Sequence, residues 1–250
     1  MPSQIRAGTF DSQAFRASQA RAERDANLDL HAICRLLEAD LVDANMEVRG
    51  HAVVVLGGLV RRIGNTEADR QLLASTVLSC LDKSNDQGIQ LMCSTLIDHR
   101  TPMSAIAQFK DLAARKIADG TAYSSLAIGL ARVATSGPNP DADAVLADFF
   151  RSPSVSDDLK TRAIFSLQNM PLSDQVLDAV AELLSKTKSD ELKLKIIQVS
   201  PKFGEHAMER EHHTLLALEA NLSESEKVRQ AAGNALRASP QADTAVPGIH

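Results

Sequence analysis

Apolar residues return along this chain in short frames. Val48, Ala52 and Leu56 follow one another four residues apart, and the same spacing reappears near the other end as Val228, Ala232 and Leu236. That interval keeps side chains on one face of an α-helix. Related frames begin at Ile89 (with Cys93), Tyr123 (with Ala127), Leu159 (with Ala163 and Leu167) and Leu192 (with Ile196). The six first positions are separated by 41, 34, 36, 33 and 36 residues, the size of a two-helix repeat. In the first frame Val48, Ala52, Val55, Leu56 and Leu59 form one predicted buried stripe, and a small residue at the fifth position lets neighbouring helices approach closely.

Polar segments precede the frames and read as helix starts: Asp43 to Glu47, Ser84 to Gln87, Asp119 to Thr121, Ser154 to Asp158, Ser189 to Glu191, and Ser223 to Glu226. Their Ser, Asp and Asn side chains can accept from the free amides of a first turn, and their acids suit its positive dipole end. These second helices are called B. A first helix, A, is predicted before each from apolar residues such as Leu37 and Leu41, Leu73 and Val77, Ile106 and Phe109, Val145 and Phe149, Val176 and Val180, and Leu215, Leu218 and Leu222. Thr101-Pro102, Pro171, Gly204, Gly64-Asn65 and Gly137 to Pro140 fall between a B helix and the next A helix, where turns are needed. The expected organisation is an N-terminal arm with a capping helix over residues 1–27, a repeat domain over 28–238, and a flexible tail over 239–250.

Valine-arginine, then alanine, then leucine, in each B helix resembles the short bacterial form of the HEAT-repeat family. The resemblance covers roughly residues 28–238; it is sharp in the first, fourth and sixth frames and degenerate in the second and third, where Gln90 and Ser124 occupy the arginine position. It implies an all-α fold, a right-handed α-α superhelix of about six helix pairs, whose B helices line the concave side and commonly hold a protein partner.

Composition narrows the partner little. The chain is 44% hydrophobic with no Trp, one Tyr and seven Phe, which favours helix over sheet. Its formal net charge of -5 argues against nucleic acid and anionic membranes unless a local basic patch exists. Cys34, Cys80 and Cys93 are odd in number and lie in apolar helical stretches, with Cys80 and Cys93 in the A and B helices of one repeat. No secretory signal or membrane-length apolar run is visible, so the expectation is a reduced, cytoplasmic protein.

Arg49, Lys160, Lys193 and Arg229 recur at one frame position. They could form a cationic stripe for a ligand; the favoured reading is ion pairs between adjacent repeats, using acids such as Asp43 or Glu191. Half a helical revolution from the buried stripe lie the predicted partner-binding residues Arg61, Asp98, Arg132, Gln168, Gln198 and Asn234, with Thr95 beside them. Glu205, His206, Glu209, His212 and His213 have the chemistry of a metal cluster, but a solvated helix face is the favoured reading and no metal is expected. A basic stretch from Lys186 through Lys202 precedes an acidic one from Glu205 through Glu226.

No His-Glu dipeptide, glycine-rich phosphate loop, nucleophile elbow or HExxH motif occurs. The expected function is a non-enzymatic protein-protein interaction module, an adaptor, scaffold or immunity-type inhibitor, without cofactor. The alternatives are a HEAT-like enzyme or chromophore-lyase-like cofactor handler, and a nucleic-acid-binding HEAT protein.

Overall fold

A computed structural model of the chain describes residues 29–62, 66–98, 100–135 and 140–238. The expected capping helix, the 239–250 tail and the Gly64-Asn65 turn lie outside them. Among the described residues there are twelve α-helices, one 3-10 turn and no strand. In chain order they are α1 (Leu30–Asp40), α2 (Met46–Arg62), α3 (Glu67–Lys83), α4 (Gln87–Ser94), α5 (Met103–Ala118), α6 (Ser125–Thr135), α7 (Pro140–Arg151), α8 (Asp157–Leu167), α9 (Asp174–Lys186), α10 (Asp190–Val199), the 3-10 turn Ser200–Phe203, α11 (Glu205–Ala220) and α12 (Glu226–Ala238). No described helix is long and apolar enough to cross a membrane.

The even-numbered helices carry the frames, and their starts explain the phase. Asp86 caps α4 by accepting from the amides of Gly88 (2.9 Å) and Ile89 (3.1 Å). Ser156, Ser189 and Ser225 accept likewise from Leu159, Leu192 and Val228. In each case the capping side chain lies three residues ahead of the first apolar residue of its frame, so one short motif closes the helix end and sets its buried face. Asp119 to Thr121 behaves differently from the expected helix start. Gly120 has φ +68°, the Gly120 amide donates to the Ile117 carbonyl (3.3 Å), and the Thr121 amide donates to Lys116 (2.9 Å). This pattern ends α5 in a left-handed glycine cap, and α6 begins only at Ser125.

The described residues form two compact units, one ending at Phe109 and the other beginning at Lys110, within α5. In the first, α1 packs on α2 and α3, and α2 on α3 and α4. In the second, α6, α8, α10 and α12 pack in sequence, as do α7, α9 and α11. Within each unit, contacts between a helix and the next but one are consistent with a stacked helical array.

Fifth frame positions lie deep in the core. Ala52, Cys93, Ala127, Ala163, Ile196 and Ala232 are all 0–1% exposed. Most of the predicted A-helix residues are buried as well, including Leu73, Val77, Phe109, Phe149, Val176, Val180 and Leu215. Leu222 is not: it lies beyond the end of α11 and is exposed.

Among the described residues two acids are buried, Asp40 and Glu211, and Glu211 is the one with a carboxyl oxygen left unpartnered. Glu211 of α11 is 1% exposed, its Oε2 has no hydrogen-bond partner, and its Oε1 lies 2.8 Å from Ser200 Oγ. The same hydroxyl lies 2.8 Å from the Ile196 carbonyl and has one proton to donate. A protonated Glu211 resolves the conflict by donating to Ser200 while Ser200 donates to Ile196. Burial accordingly pushes the Glu211 pKa up to about 7, with the Ser200 bond a smaller opposing effect.

Two stability predictions follow from this packing. Because the folded state keeps the Glu211 proton longer than the unfolded chain does, the residue costs nothing below pH 4.5, and its penalty grows between pH 4.5 and 7 and is complete above that. Glu211→Gln, whose amide can still donate to Ser200, should match the parent in urea unfolding near pH 4 and exceed it by about 3 kcal/mol at pH 8. Ala163→Leu, which forces a larger side chain between packed helices, should lower stability by about 1–3 kcal/mol in the same assay.

Candidate functional site

Two families of side chains leave the packed core: the cations at the second frame position and the residues on the opposite face of the even-numbered helices. The partners of the cations decide whether they are free to bind anything.

Arg49 donates through Nη1 to the carbonyls of Asp43 (2.8 Å) and Ala44 (3.0 Å), and through Nη2 to Asp86 Oδ2 (2.9 Å) at the start of α4. Gln90, in the arginine position of the next frame, donates from Nε2 to the Ser84 carbonyl (2.7 Å), again six residues back. Lys193 donates to both oxygens of Glu224 (2.6 Å), just ahead of α12. Arg49 and Lys193 therefore tie one even-numbered helix to the loop that starts the next. The ion pairs exist, but the acids differ from those expected: Asp43 contributes its backbone carbonyl, and the bridging carboxylates are Asp86 and Glu224. Arg49 holds Asp86 below the usual carboxylate range, helped by the Ile89 and Gly88 amides. The odd-numbered helices carry their own rungs, Lys110 to Asp141 (3.1 Å), Arg151 to Glu182 (2.8 Å) and Arg210 to Asp178 (2.6 Å). Arg229 buries its Nε with no hydrogen-bond partner, and Lys160 likewise stands outside the ladder.

On the opposite face, the seventh frame position is occupied by Val54, Thr95, Gly129, Phe165, Gln198 and Asn234. All but Gly129 are exposed, Val54 at 54% and Phe165 at 53%. Around Phe165 the side chains are linked. Lys195 Nζ sits 5.0 Å from the Phe165 ring centroid and donates to Gln198 Oε1 (3.0 Å), while Lys202 Nζ donates to Gln168 Oε1 (2.7 Å). The result is an exposed aromatic ring under a cation, with two amides beside it, on the packed pair α8 and α10.

The six residues singled out in the sequence are thus distributed unequally. Gln168 and Gln198 share this patch. Asn234 is exposed on α12 and accepts from Arg237 (2.9 Å), and Arg132 is half-buried on α6. In the first unit, Arg61 is exposed at the end of α2, and half-buried Asp98 accepts from the Arg100 amide (2.8 Å) in the turn after α4. Phe165 was not among them. Its position, six residues after Leu159 as Gln198 is after Leu192, is the signal that could have found it.

Other candidate chemistry falls away on geometry. His206 Nδ1 lies 3.4 Å from Glu209 Oε2, and among the described residues no three His, Cys, Asp or Glu side chains converge on a metal-sized site. Cys34, Cys80 and Cys93 are buried; Cys93 Sγ lies 2.9 Å from Cys80 Sγ, confirming that the two pack together. The Cys80 contact and burial push the Cys93 thiol up, and burial pushes Cys34 up, which removes the thiolate a nucleophile needs. The basic stretch is divided: Lys186, bonded to Glu182 (2.6 Å), and Lys188 line one cavity, Lys193 is paired with Glu224, and Lys195 and Lys202 make the contacts above.

No family model, curated protein or solved structure matches this chain.

The ladder makes a quantitative prediction. Lys193 and Glu224 are 7% and 16% exposed, so screening is weak and the desolvated pair is costly to break. A double-mutant cycle with Lys193→Met and Glu224→Gln, read by urea unfolding, should return a coupling on the order of 1–3 kcal/mol. The more exposed pair Arg162 and Asp158, at 50% and 64%, should return a clearly smaller one.

Proposed function

We propose that this chain is a HEAT-like, non-enzymatic protein-binding module that holds a protein or peptide partner on the exposed face of its even-numbered helices, the concave side of a right-handed superhelix of such repeats. The observation that carries the reading is the patch of Phe165, Lys195, Gln198, Gln168 and Lys202 on α8, α10 and the turns that follow them. An aromatic ring left half in water, beside a cation and amides that can hydrogen-bond to backbone, has the composition of an interface anchor with a polar rim. The stacking of α6, α8, α10 and α12 supports it, because sequential packing lines their exposed positions into one strip that includes Arg132 and Asn234. Arg61 and Asp98 extend the proposal to the first unit. Adaptor, scaffold and inhibitory roles all use such a strip, and the buried, weakly acidic thiols fit a binding protein better than a nucleophilic enzyme.

Partner capture from the native cell, followed by a direct binding titration, tests this. Phe165→Ala should weaken the captured partner by at least about tenfold, the scale of a modest hot spot, and Gln198→Ala by less. Gln175→Ala, at an exposed position on α9, should leave affinity unchanged. Parent-like binding by Phe165→Ala and Gln198→Ala, with loss in Gln175→Ala, would move the site to the odd-numbered helices.

A further inference from the structure

The cation ladder has one rung of reversed sign. Arg49 reaches Asp86, the capping residue of the following even-numbered helix, and Lys193 reaches Glu224, the residue just before the cap Ser225. For Lys160 the corresponding positions ahead of α10 are Ser189 and Lys188. The loop that should neutralise Lys160 thus brings a hydroxyl and a second cation.

Lys160 is nevertheless only 5% exposed, and its ammonium makes no hydrogen bond or ion pair. Burial pushes its pKa down, and the field of Asp157 offsets this only in part. The Asp157 carboxylate is turned to another partner, accepting from Thr187 Oγ1 (3.2 Å). A cation on a buried stem, partly desolvated and without an ion pair, is costly, and replacing it with an apolar residue would ordinarily stabilise the fold.

Lys160 lines a cavity of about 230 Å³ together with Arg151, Lys186, Lys188, Asp157 and Glu182. That is well above the ~30 Å³ occupied by one water. Glu182 is already shared, accepting from Arg151 (2.8 Å) and Lys186 (2.6 Å), and these two bonds, Lys186 first, hold its carboxyl down to about 2. Neither cation is exhausted by this bond, since an arginine has five donors and a lysine three. Four cations therefore face two carboxylates around the cavity, leaving two positive charges over. A phosphate monoester carries about -1.5 to -2 at pH 7 and offers three acceptor oxygens. A single carboxylate would leave one charge unmatched.

We infer that this cavity is a binding site for a phosphate monoester or inorganic phosphate dianion, with Lys160 as its internal cation and Arg151, Lys186 and Lys188 as its rim. The fourth rung of the ladder is closed by a ligand where the others are closed by Asp86 and Glu224. The site is independent of the strip on the even-numbered helices, and either can fail without the other.

The test titrates the full chain with inorganic phosphate at constant ionic strength, by calorimetry and by thermal shift against chloride. A phosphoserine peptide, its unphosphorylated form and a sugar phosphate are run in parallel. Saturable phosphate binding with a raised Tm is expected in the parent. Lys160→Met keeps the apolar stem, should melt higher than the parent without phosphate, and should lose at least about tenfold in phosphate affinity, the scale of one charge-assisted hydrogen bond. Lys188→Glu restores the ordinary rung on the surface without touching the core, and should lose binding to a similar degree. A phosphopeptide that binds more tightly than phosphate, with its unphosphorylated form silent, identifies a phosphorylated protein as the source; equal or tighter binding of the free phosphate or sugar phosphate identifies a small molecule. Absence of saturable binding to every phosphate probe, or binding that survives both substitutions, overturns the inference.

Discussion

Close approach at the fifth position of each even-numbered helix is the constraint on which the remaining structure depends. A pair of helices encloses too little interior to bury its own apolar faces, so each must be covered by its neighbours. Ala52, Ala127, Ala163 and Ala232 are small enough to let helix backbones come together there, and Cys93 and Ile196 are fully buried at the same position. Once these positions are closed, the rest of each helix has little rotational freedom. The second frame position falls at the seam with the following loop, and the seventh points away from the core.

That geometry gives one frame position two kinds of outcome. At Arg49 and Lys193 the next loop supplies a carboxylate, and the cation serves cohesion. At Lys160 the loop supplies Lys188, and the same backbone geometry leaves a lysine with a buried stem lining a cavity. A difference of one residue in a loop therefore separates a structural rung from a candidate ligand site. Glu211 shows the same dependence on surroundings for an acid: no counter-charge reaches it, and it gains more from donating a proton to Ser200 than from ionising.

Much of the local design is legible in the sequence. The frames at Val48, Ile89, Leu192 and Val228, the small fifth positions, the capping Ser and Asp residues and the turns at Thr101-Pro102, Pro171 and Gly204 all agree with the helices observed. Asp119 to Thr121 was misread because Asp and Thr suit a helix start as well as an exit, and Gly120 at positive φ decided for the exit. Phe165 was overlooked because an aromatic residue in an apolar frame suggests burial, although exposed apolar atoms are common on folded surfaces. Leu222 was assigned to a stripe that its helix no longer reaches.

The sequence by itself determined where helices begin, which faces they bury and at what interval the pattern returns, because capping and periodicity act between residues no more than four apart. Only the tertiary structure decided that Arg49 meets Asp86, that Lys193 meets Glu224, that Phe165 lies under Lys195 and that Lys160 faces a cavity where the other two cations meet an acid of the next loop. Those outcomes join residues about 30 or more positions apart. They depend on which loop and which helix face the packed backbone brings alongside, and spacing along the chain does not specify that.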